Sequence, residues 1–183
     1  ATSDIFYNRK FNARHLLKIG LHTDLFFLNL NDSTYNRSTA MYQTLRSFSG
    51  NMFLIQPYAQ YQCRVTDRLT FNLGLHAQTL TLENQSAIEP RAGAAWKISD
   101  KDQLSLGYGL HSQMQPIELY YIQSMSGGVV TEPNRGLDFS KSHHLVLGYQ
   151  HRFPFGINAK LEAYYQYLFD IPVQNTPSAY SIL

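Results

Sequence analysis

The chain has 183 residues, of which 44% are hydrophobic, 14% aromatic and 15% charged, and its formal net charge is +2. This aromatic content excludes a disordered segment, and no stretch approaches the roughly 18 consecutive apolar residues of a membrane-spanning helix. The small net charge and the absence of a Lys/Arg-rich block argue against a nucleic-acid-binding protein. Cys63 is the only cysteine, so one chain holds neither a disulfide framework nor a cysteine zinc site.

Alternation of apolar and polar residues runs along the whole chain and predicts β-strands, since successive strand residues point to opposite faces. The pattern is clearest from Leu69 to Gln78, where every second residue is apolar and those between them are polar or glycine. In chain order, the predicted strands cover residues 4–11, 15–30, 53–64, 69–78, 88–98, 104–111, 144–153 and 161–169. The sequence therefore predicts about eight strand segments, most of them about 10 residues or longer, as tilted membrane strands are.

The predicted connections alternate between short and longer ones. Residues 12–14, 66–68, 99–102 and 154–156 form the short connections, and residues 31–47, 83–87 and 114–142 the longer ones. Bacterial outer-membrane barrels have this asymmetry, with short periplasmic turns and longer extracellular loops. Pro57 and Pro90 each follow a longer loop, which predicts rim segments near a strand start, where a missing N–H donor is tolerated. We therefore expect an all-β, antiparallel up-and-down meander that forms part of a transmembrane β-barrel.

Charged residues within the predicted strands share the face opposite to the apolar residues, from Lys18 to Asp170. A lipid-facing Lys or Arg costs roughly 2–4 kcal/mol at the bilayer midplane, which would enforce this separation. Water on one face of a soluble sheet would produce it as well. On the membrane reading, the polar residues that line the barrel lumen are His76, Glu89, Arg91, Lys97, His111, Arg152, Lys160 and Glu162.

Catalytic and metal-binding motifs are not evident in the sequence. His143, His144 and His151 are the densest histidine group, but adjacent strand residues point to opposite faces. No nucleophile elbow, phosphate loop or zincin helix is present. We predict no catalytic residue, metal site or cofactor, and not an enzyme.

Several segments resemble the barrel of TonB-dependent outer-membrane receptors, in the form numerous in Bacteroidetes. The similar segments are residues 10–15 (KFNARH), 88–93 (IEPRAG), 106–113 (LGYGLHSQ), 137–149 (LDFSKSHHLVLGY) and 162–173 (EAYYQYLFDIPV). Members of this family begin with a signal sequence and a TonB-contacting box, followed by a plug domain and a barrel of about 22 strands. The resemblance implies that residues 1–183 are one internal segment of the C-terminal barrel, without plug domain or signal peptide.

The same resemblance implies a function and a set of partners. The parent receptor would lie in the outer membrane of a Gram-negative bacterium and import a nutrient such as an iron chelate, a vitamin or a glycan. Its partners would be lipid, TonB, the plug domain, a small-molecule or glycan ligand and a surface lipoprotein. Because extracellular loops of the family contact the ligand, we expect ligand contacts in the two long loops, at Tyr35, Arg37, Tyr120, Tyr121, Asn134 and Arg135.

Two other interpretations remain open from the sequence. One is a complete small outer-membrane barrel of eight strands with a structural or adhesion role. The other is a soluble binding module, either a β-sandwich or a lipocalin-like barrel, in which the apolar faces would pack on one another or line a pocket. If the chain is part of a larger barrel, its sheet has two unpaired edges, and we expect these to drive self-association.

Overall fold

The sheet is a single antiparallel meander. A computed structural model describes residues 1–126 and 128–173. Its elements are β1 (Thr2–Lys10), β2 (His15–Asn36), β3 (Met41–Arg64), β4 (Leu69–Leu80), β5 (Gln85–Lys97), β6 (Asp102–Gln113), α1 (Ile117–Tyr120), β7 (Ser124–Ser126), β8 (Val129–Thr131), β9 (Ser140–Arg152) and β10 (Asn158–Phe169). The main sheet has the order β1-β2-β3-β4-β5-β6-β9-β10, while β7 and β8 form a separate hairpin. The predicted all-β meander is therefore confirmed.

The strand register divides the sheet into two faces. One row of direct cross-strand neighbours crosses all the main strands through Asn8, Lys18, Gln60, Gly74, Arg91, Gly109, His144 and Gln166. The adjacent row on the opposite side consists of Arg9, Leu17, Tyr61, Leu73, Ala92, Tyr108, Leu145 and Tyr165. We call the face with the first row the polar face and the face with the second row the apolar face.

The apolar face is open rather than packed. Leu73, Leu106 and Leu161 are 55%, 50% and 73% exposed, and none of the described residues forms a second layer over them. A soluble sandwich would bury these side chains in a dry core, so the structure does not support that alternative. Nor does β1 pair with β10 in the part of the chain that the structure describes, so the strands do not close into a small barrel.

Arg9 departs from the expected separation of charge, because the register places it on the apolar face opposite Leu17. It lies next to the last residue of β1, and its guanidinium is 4.9 Å from the ring centroid of Phe11 in the following turn. Long cationic side chains near the end of a membrane segment extend their charge toward water. The position at the strand end therefore makes this exception compatible with a lipid-facing surface.

The hairpin of β2 and β3 is longer than predicted. Residues 31–47 were expected to form a loop, but β2 continues to Asn36 and β3 starts at Met41. The paired extensions are joined by an Arg46–Asp32 ion pair of 2.6 Å and by edge-to-face contact between Tyr35 and Tyr42. Their polar side chains on both faces give no period-two signal, and for that reason the sequence pattern did not reveal the strands.

The two strand prolines also differ from expectation. Pro57 lies well inside β3, and the β3–β4 ladder is interrupted at Gln56 and Pro57. Pro90 pairs with Leu75 of β4, whereas the ladder of β5 with β6 starts only at Arg91. Each proline therefore removes a backbone donor where a ladder stops, rather than at the start of a strand.

The buried core lies on the polar face at the long-loop end of the sheet. Its residues are Met52, Leu54, Leu80, Ala87, Tyr120, Tyr121 and Phe139. The last three belong to residues 114–139, which connect β6 to β9 and include α1 and the β7–β8 hairpin. This connection folds back onto the sheet and contributes to its core. No helix among the described residues has the length and apolarity to span a membrane.

Candidate functional site

The first part of the candidate site is a buried carboxylate, Glu89, on the polar face of β5. Because Pro90 ends the β5–β6 ladder, the backbone of β6 beyond Gly109 has no partner strand on this side. Side chains from β4 and β5 supply the missing hydrogen bonds to this backbone. The backbone N–H of Ser112 donates to Oε1 of Glu89 at 2.9 Å, and Nε2 of Gln78 donates to the Ser112 carbonyl at 2.8 Å.

Glu89 also collects further donors from three strands. Its Oε1 accepts Nε2 of Gln78 at 2.9 Å and the hydroxyl of Ser112 at 2.5 Å. Its Oε2 accepts the Arg91 guanidinium at 2.6 Å and lies 2.9 Å from Nδ1 of His76. The side chain of Glu89 is 3% exposed, so an ionised carboxylate at this position depends on these partners. The cluster ties β4, β5 and β6 together where their ladder is broken.

Two histidines flank this cluster on the polar face. The rings of His111 and His144 are 4.6 Å apart with an interplanar angle of 55°. In residues 1–126 and 128–173, no group of three or more His, Cys, Asp and Glu side chains could hold a metal ion. Glu89, its partners and the two histidines fix a buried carboxylate and provide hydrogen-bonding groups on the polar face. None of these side chains is arranged as an activated nucleophile.

The second part of the candidate site is the connection from β6 to β9, which covers the long-loop end of the polar face. Tyr121 stacks on Phe48 of β3 with ring centroids 4.0 Å apart. The backbone N–H of Gln123 donates to the carbonyl of Leu45 at 2.8 Å, and Tyr120 accepts the N–H of Gln115 at 3.0 Å. The connection is thus held by aromatic packing and by backbone hydrogen bonds.

Arg135 links this connection to the neighbouring β4–β5 loop. Its guanidinium donates to Glu83 at 2.8 Å and to Glu132 at 2.6 Å, and it lies 5.6 Å from the ring centroid of Tyr121. The carbonyl of Arg135 accepts Nε2 of Gln85 at 3.1 Å. The hydrogen bond to Glu132 raises the pKa of Arg135 above its ordinary value, so this cation is permanent. Two of its three guanidinium nitrogens are thus engaged within the fold.

Tyr120 and Tyr121 were expected to offer their rings to a ligand, but the structure buries both, with 1% and 0% of the residue exposed. In this arrangement neither ring is accessible, and ligand contact at these two residues stays a prediction. The rings fill the space above Met52, Leu54 and Leu80, and sequence periodicity carries no information on such contacts between distant segments. Burial raises the pKa of both phenols, which keeps them neutral in the packed state.

The other predicted ligand residues are more accessible, but they are not gathered into one pocket. Tyr35 is 50% exposed near the tip of the β2–β3 hairpin, and Arg37 follows in the turn. Asn134 is half-buried, and its carbonyl accepts the N–H of Leu137 at 3.1 Å. For these residues, ligand contact stays a prediction.

The residues predicted to line the lumen share one face by register. His76, Glu89 and Arg91 belong to the carboxylate cluster, and His111 lies beside it. The remaining four, Lys97, Arg152, Lys160 and Glu162, lie toward the short turns. Gln78 and Ser112 were not among the residues predicted from the sequence. Pro90 was the available signal, because it indicates that the backbone ladder ends and that side chains must supply the missing hydrogen bonds.

Comparison with known proteins places this geometry in a family. The family model described as the β-barrel of TonB-dependent receptor-like proteins matches residues 2–181. No curated protein gives a significant match. Among solved structures, the chain is similar to a variant of the ferric enterobactin receptor of Pseudomonas aeruginosa, with 14% sequence identity and a TM-score of 0.65. That match covers 91% of this chain and 26% of the receptor chain, and at this identity it shows the fold alone.

Proposed function

The chain belongs to the TonB-dependent receptor β-barrel family, and from this premise we propose that it forms wall and loops of an outer-membrane receptor that imports a nutrient. In this proposal the apolar face contacts lipid and the polar face lines the lumen. The plug domain would occupy the lumen, and TonB would supply the energy for uptake. The contribution of the chain is binding and positioning, without covalent chemistry.

The register carries this proposal. From β1 to β10 the same parity keeps most of the exposed large apolar side chains on one face. It keeps the strand charges on the other face, apart from Arg9, Asp102 and Lys141 near strand ends. The apolar side chains remain exposed, as expected of a surface whose partner is hydrocarbon. An exposed apolar surface of this extent has no role in a monomeric soluble protein.

The ligand class follows from the family and from the loops. We propose a small molecule or glycan that contacts the long-loop end, where Tyr35 and Arg37 are exposed. Iron chelates, vitamins and glycans all fit a site of aromatic, amide and guanidinium groups.

Uptake by intact cells tests the proposed function. Cells that produce the whole receptor containing this chain should accumulate a labelled ferric siderophore, cobalamin or oligosaccharide, and the same cells without TonB should not. Accumulation that is independent of TonB for every compound taken up would contradict the proposal, as would no accumulation of any of them.

The unpaired edges give a separate prediction. β1 and β10 each have an edge without a partner strand in the described part of the chain, and β10 is exposed along almost its whole length. Such edges template pairing with another strand. We expect the isolated chain to form dimers or larger assemblies, measured by light scattering in buffer without detergent. A stable monomer under these conditions would refute the expectation.

A further inference from the structure

Positive charge is concentrated at one end of the strands, around the four short connections. We call these connections and their flanking strand residues the short-turn rim, which comprises residues 9–15, 64–69, 97–102 and 152–158. The rim holds eight Lys and Arg against three Asp, whereas the rest of the chain holds seven Lys and Arg against ten Asp and Glu. The rim cations are Arg9, Lys10, Arg14, Arg64, Arg68, Lys97, Lys101 and Arg152. The small net charge of the chain therefore conceals one strongly basic end.

The rim cations are not neutralised by the chain itself. All eight are exposed, and among the described residues none of them forms an ion pair. The opposite end differs, because Arg46, Arg135 and Lys141 each pair with at least one carboxylate there. The positive charge of the rim is thus available to an anion outside the chain.

Three of the rim cations line one cleft at the turn between β5 and β6. The cleft has a volume of about 160 Å³, and its lining includes Lys97, Lys101 and Arg152 together with the amide side chains of Gln103 and Gln150. Lys97 is the last residue of β5, Arg152 is the last residue of β9, and Lys101 lies in the turn. The cleft therefore lies where the wall ends, and its long cationic side chains can extend around that end.

The two carboxylates of the cleft do not cancel this charge. Both oxygens of Asp102 are occupied, since Ser99 donates to Oδ2 at 2.6 Å, Tyr149 donates to Oδ1 at 2.6 Å, and Nδ1 of His151 lies 2.6 Å from Oδ1. The other carboxylate, Asp100, is exposed. The contact with Asp102 orients the His151 ring on the apolar face and leaves Nε2 as its free nitrogen. The cleft thus combines three cations with one carboxylate that has free acceptors.

Exposed apolar side chains border the cleft on the side of the apolar face. Trp96 precedes Lys97 and lies on that face opposite Leu69, while Ile98 and Phe153 are also exposed. Aromatic rings followed by long cationic side chains are typical of the boundary between hydrocarbon and lipid headgroups. A water-soluble anion would leave the apolar part of this site without a partner, whereas a lipid matches both parts.

We propose that the short-turn rim binds anionic glycerophospholipids, with one headgroup phosphate held in the cleft of Lys97, Lys101 and Arg152. Trp96 then lies beside the first carbons of the acyl chains. Cations next to a membrane attract anionic lipid in this way. The proposal rests on the proposed function, since it requires that the apolar face contact lipid. It adds the headgroup chemistry at the short turns, which lie on the periplasmic side of such barrels.

Quenching by nitroxide lipids at the two ends of β5 in the whole receptor tests the proposal. A fluorophore is attached to Ile98→Cys at the rim, or to Ile88→Cys in the long-loop half of the strand, in a receptor otherwise free of cysteine. At position 98, chain-labelled phosphatidylglycerol should associate about fivefold more strongly than chain-labelled phosphatidylcholine, the factor expected for one cation at a lipid surface. Ile88 is exposed on the apolar face and serves as the matched control, where both lipids should quench equally.

Removing the charge gives a second readout. Lys97→Gln, Lys101→Gln and Arg152→Gln in combination should abolish the preference at position 98, while Lys97→Arg combined with Lys101→Arg should retain it. Because the three side chains are exposed and unpaired, both variants should assemble, which a heat-modifiable band on a gel shows. The comparison of the two lipids in the receptor with all three cations does not depend on these variants.

Equal quenching by the two lipids at position 98, or a preference that survives loss of the three cations, would overturn the headgroup site. Lipid contact, and with it the proposed function, would still stand in that case. Equal quenching together with protection of Lys97 from acylation by inorganic phosphate would assign the cleft to a small anion instead. Absence of quenching by either lipid at both positions would refute the proposed function itself.

Discussion

Glu89→Ala should destabilise the whole receptor by about 3 kcal/mol, the lower end of the range for breaking a buried ion pair. The substitution removes the acceptor of the Ser112 N–H and one of the acceptors of Gln78 at the point where the β5–β6 ladder is broken. Arg91 is 40% exposed and can turn to water, so the full penalty of a stranded buried charge is not expected.

Urea unfolding in lipid vesicles measures this effect as a shift of the midpoint. Glu162→Ala is the matched control, because Glu162 is also a paired carboxylate on the polar face but is 47% exposed. Exposed pairs contribute about 0–1 kcal/mol, so this control should unfold close to the unchanged receptor. Equal midpoints for the two variants would show that the buried cluster does not stabilise the sheet.

Tyr121→Ala should release the connection between β6 and β9 from the polar face. Truncating a buried aromatic side chain costs about 3–5 kcal/mol, and here the loss is concentrated on the stacking with Phe48 and the contact with Arg135. Hydrogen–deuterium exchange should become fast in peptides from residues 114–139, while peptides from β4 and β5 keep their protection.

Tyr121→Phe is the control that separates packing from hydrogen bonding. The hydroxyl of Tyr121 is buried and has no hydrogen-bond partner among the described residues, so its removal should be neutral or slightly stabilising. In Tyr120→Phe the N–H of Gln115 loses its acceptor, and we expect a loss of about 1–3 kcal/mol. Fast exchange in Tyr121→Phe, equal to that of Tyr121→Ala, would contradict the packing explanation.

The sequence predicted the strands of the central sheet well, because lipid on one face and polar groups on the other impose a strict alternation. Residues 69–78 and 104–111 were predicted as strands, and the structure extends them only slightly, to Leu69–Leu80 and Asp102–Gln113. The prediction was poor where both faces carry the same kind of residue. In the extended β2–β3 hairpin both faces are polar.

The candidate site could be predicted only in part. Glu89 and Arg91 are two residues apart on one strand, so the sequence alone places them on the same face. The contact of Glu89 with Ser112, by contrast, depends on how β5 and β6 diverge. The burial of Tyr121 depends on the fold of the long connection between β6 and β9, whose sequence has no alternation of apolar and polar residues from which that fold could be predicted. One signal was present: the polar-face positions after Gln78 become Leu80 and Leu82, which marks an apolar area that another segment must cover.

The apolar face is expected to contact hydrocarbon, and nitroxide labels along β4 of the whole receptor in a lipid bilayer test this contact most directly. In a Cys63→Ser background, single cysteines would replace the residues from position 71 to 75. We expect labels at Phe71, Leu73 and Leu75 to collide with oxygen dissolved in the bilayer and to be shielded from a water-soluble nickel complex. Labels at Asn72 and Gly74 should show low oxygen accessibility. Accessibility without this alternation, or with the opposite phase, would contradict the account.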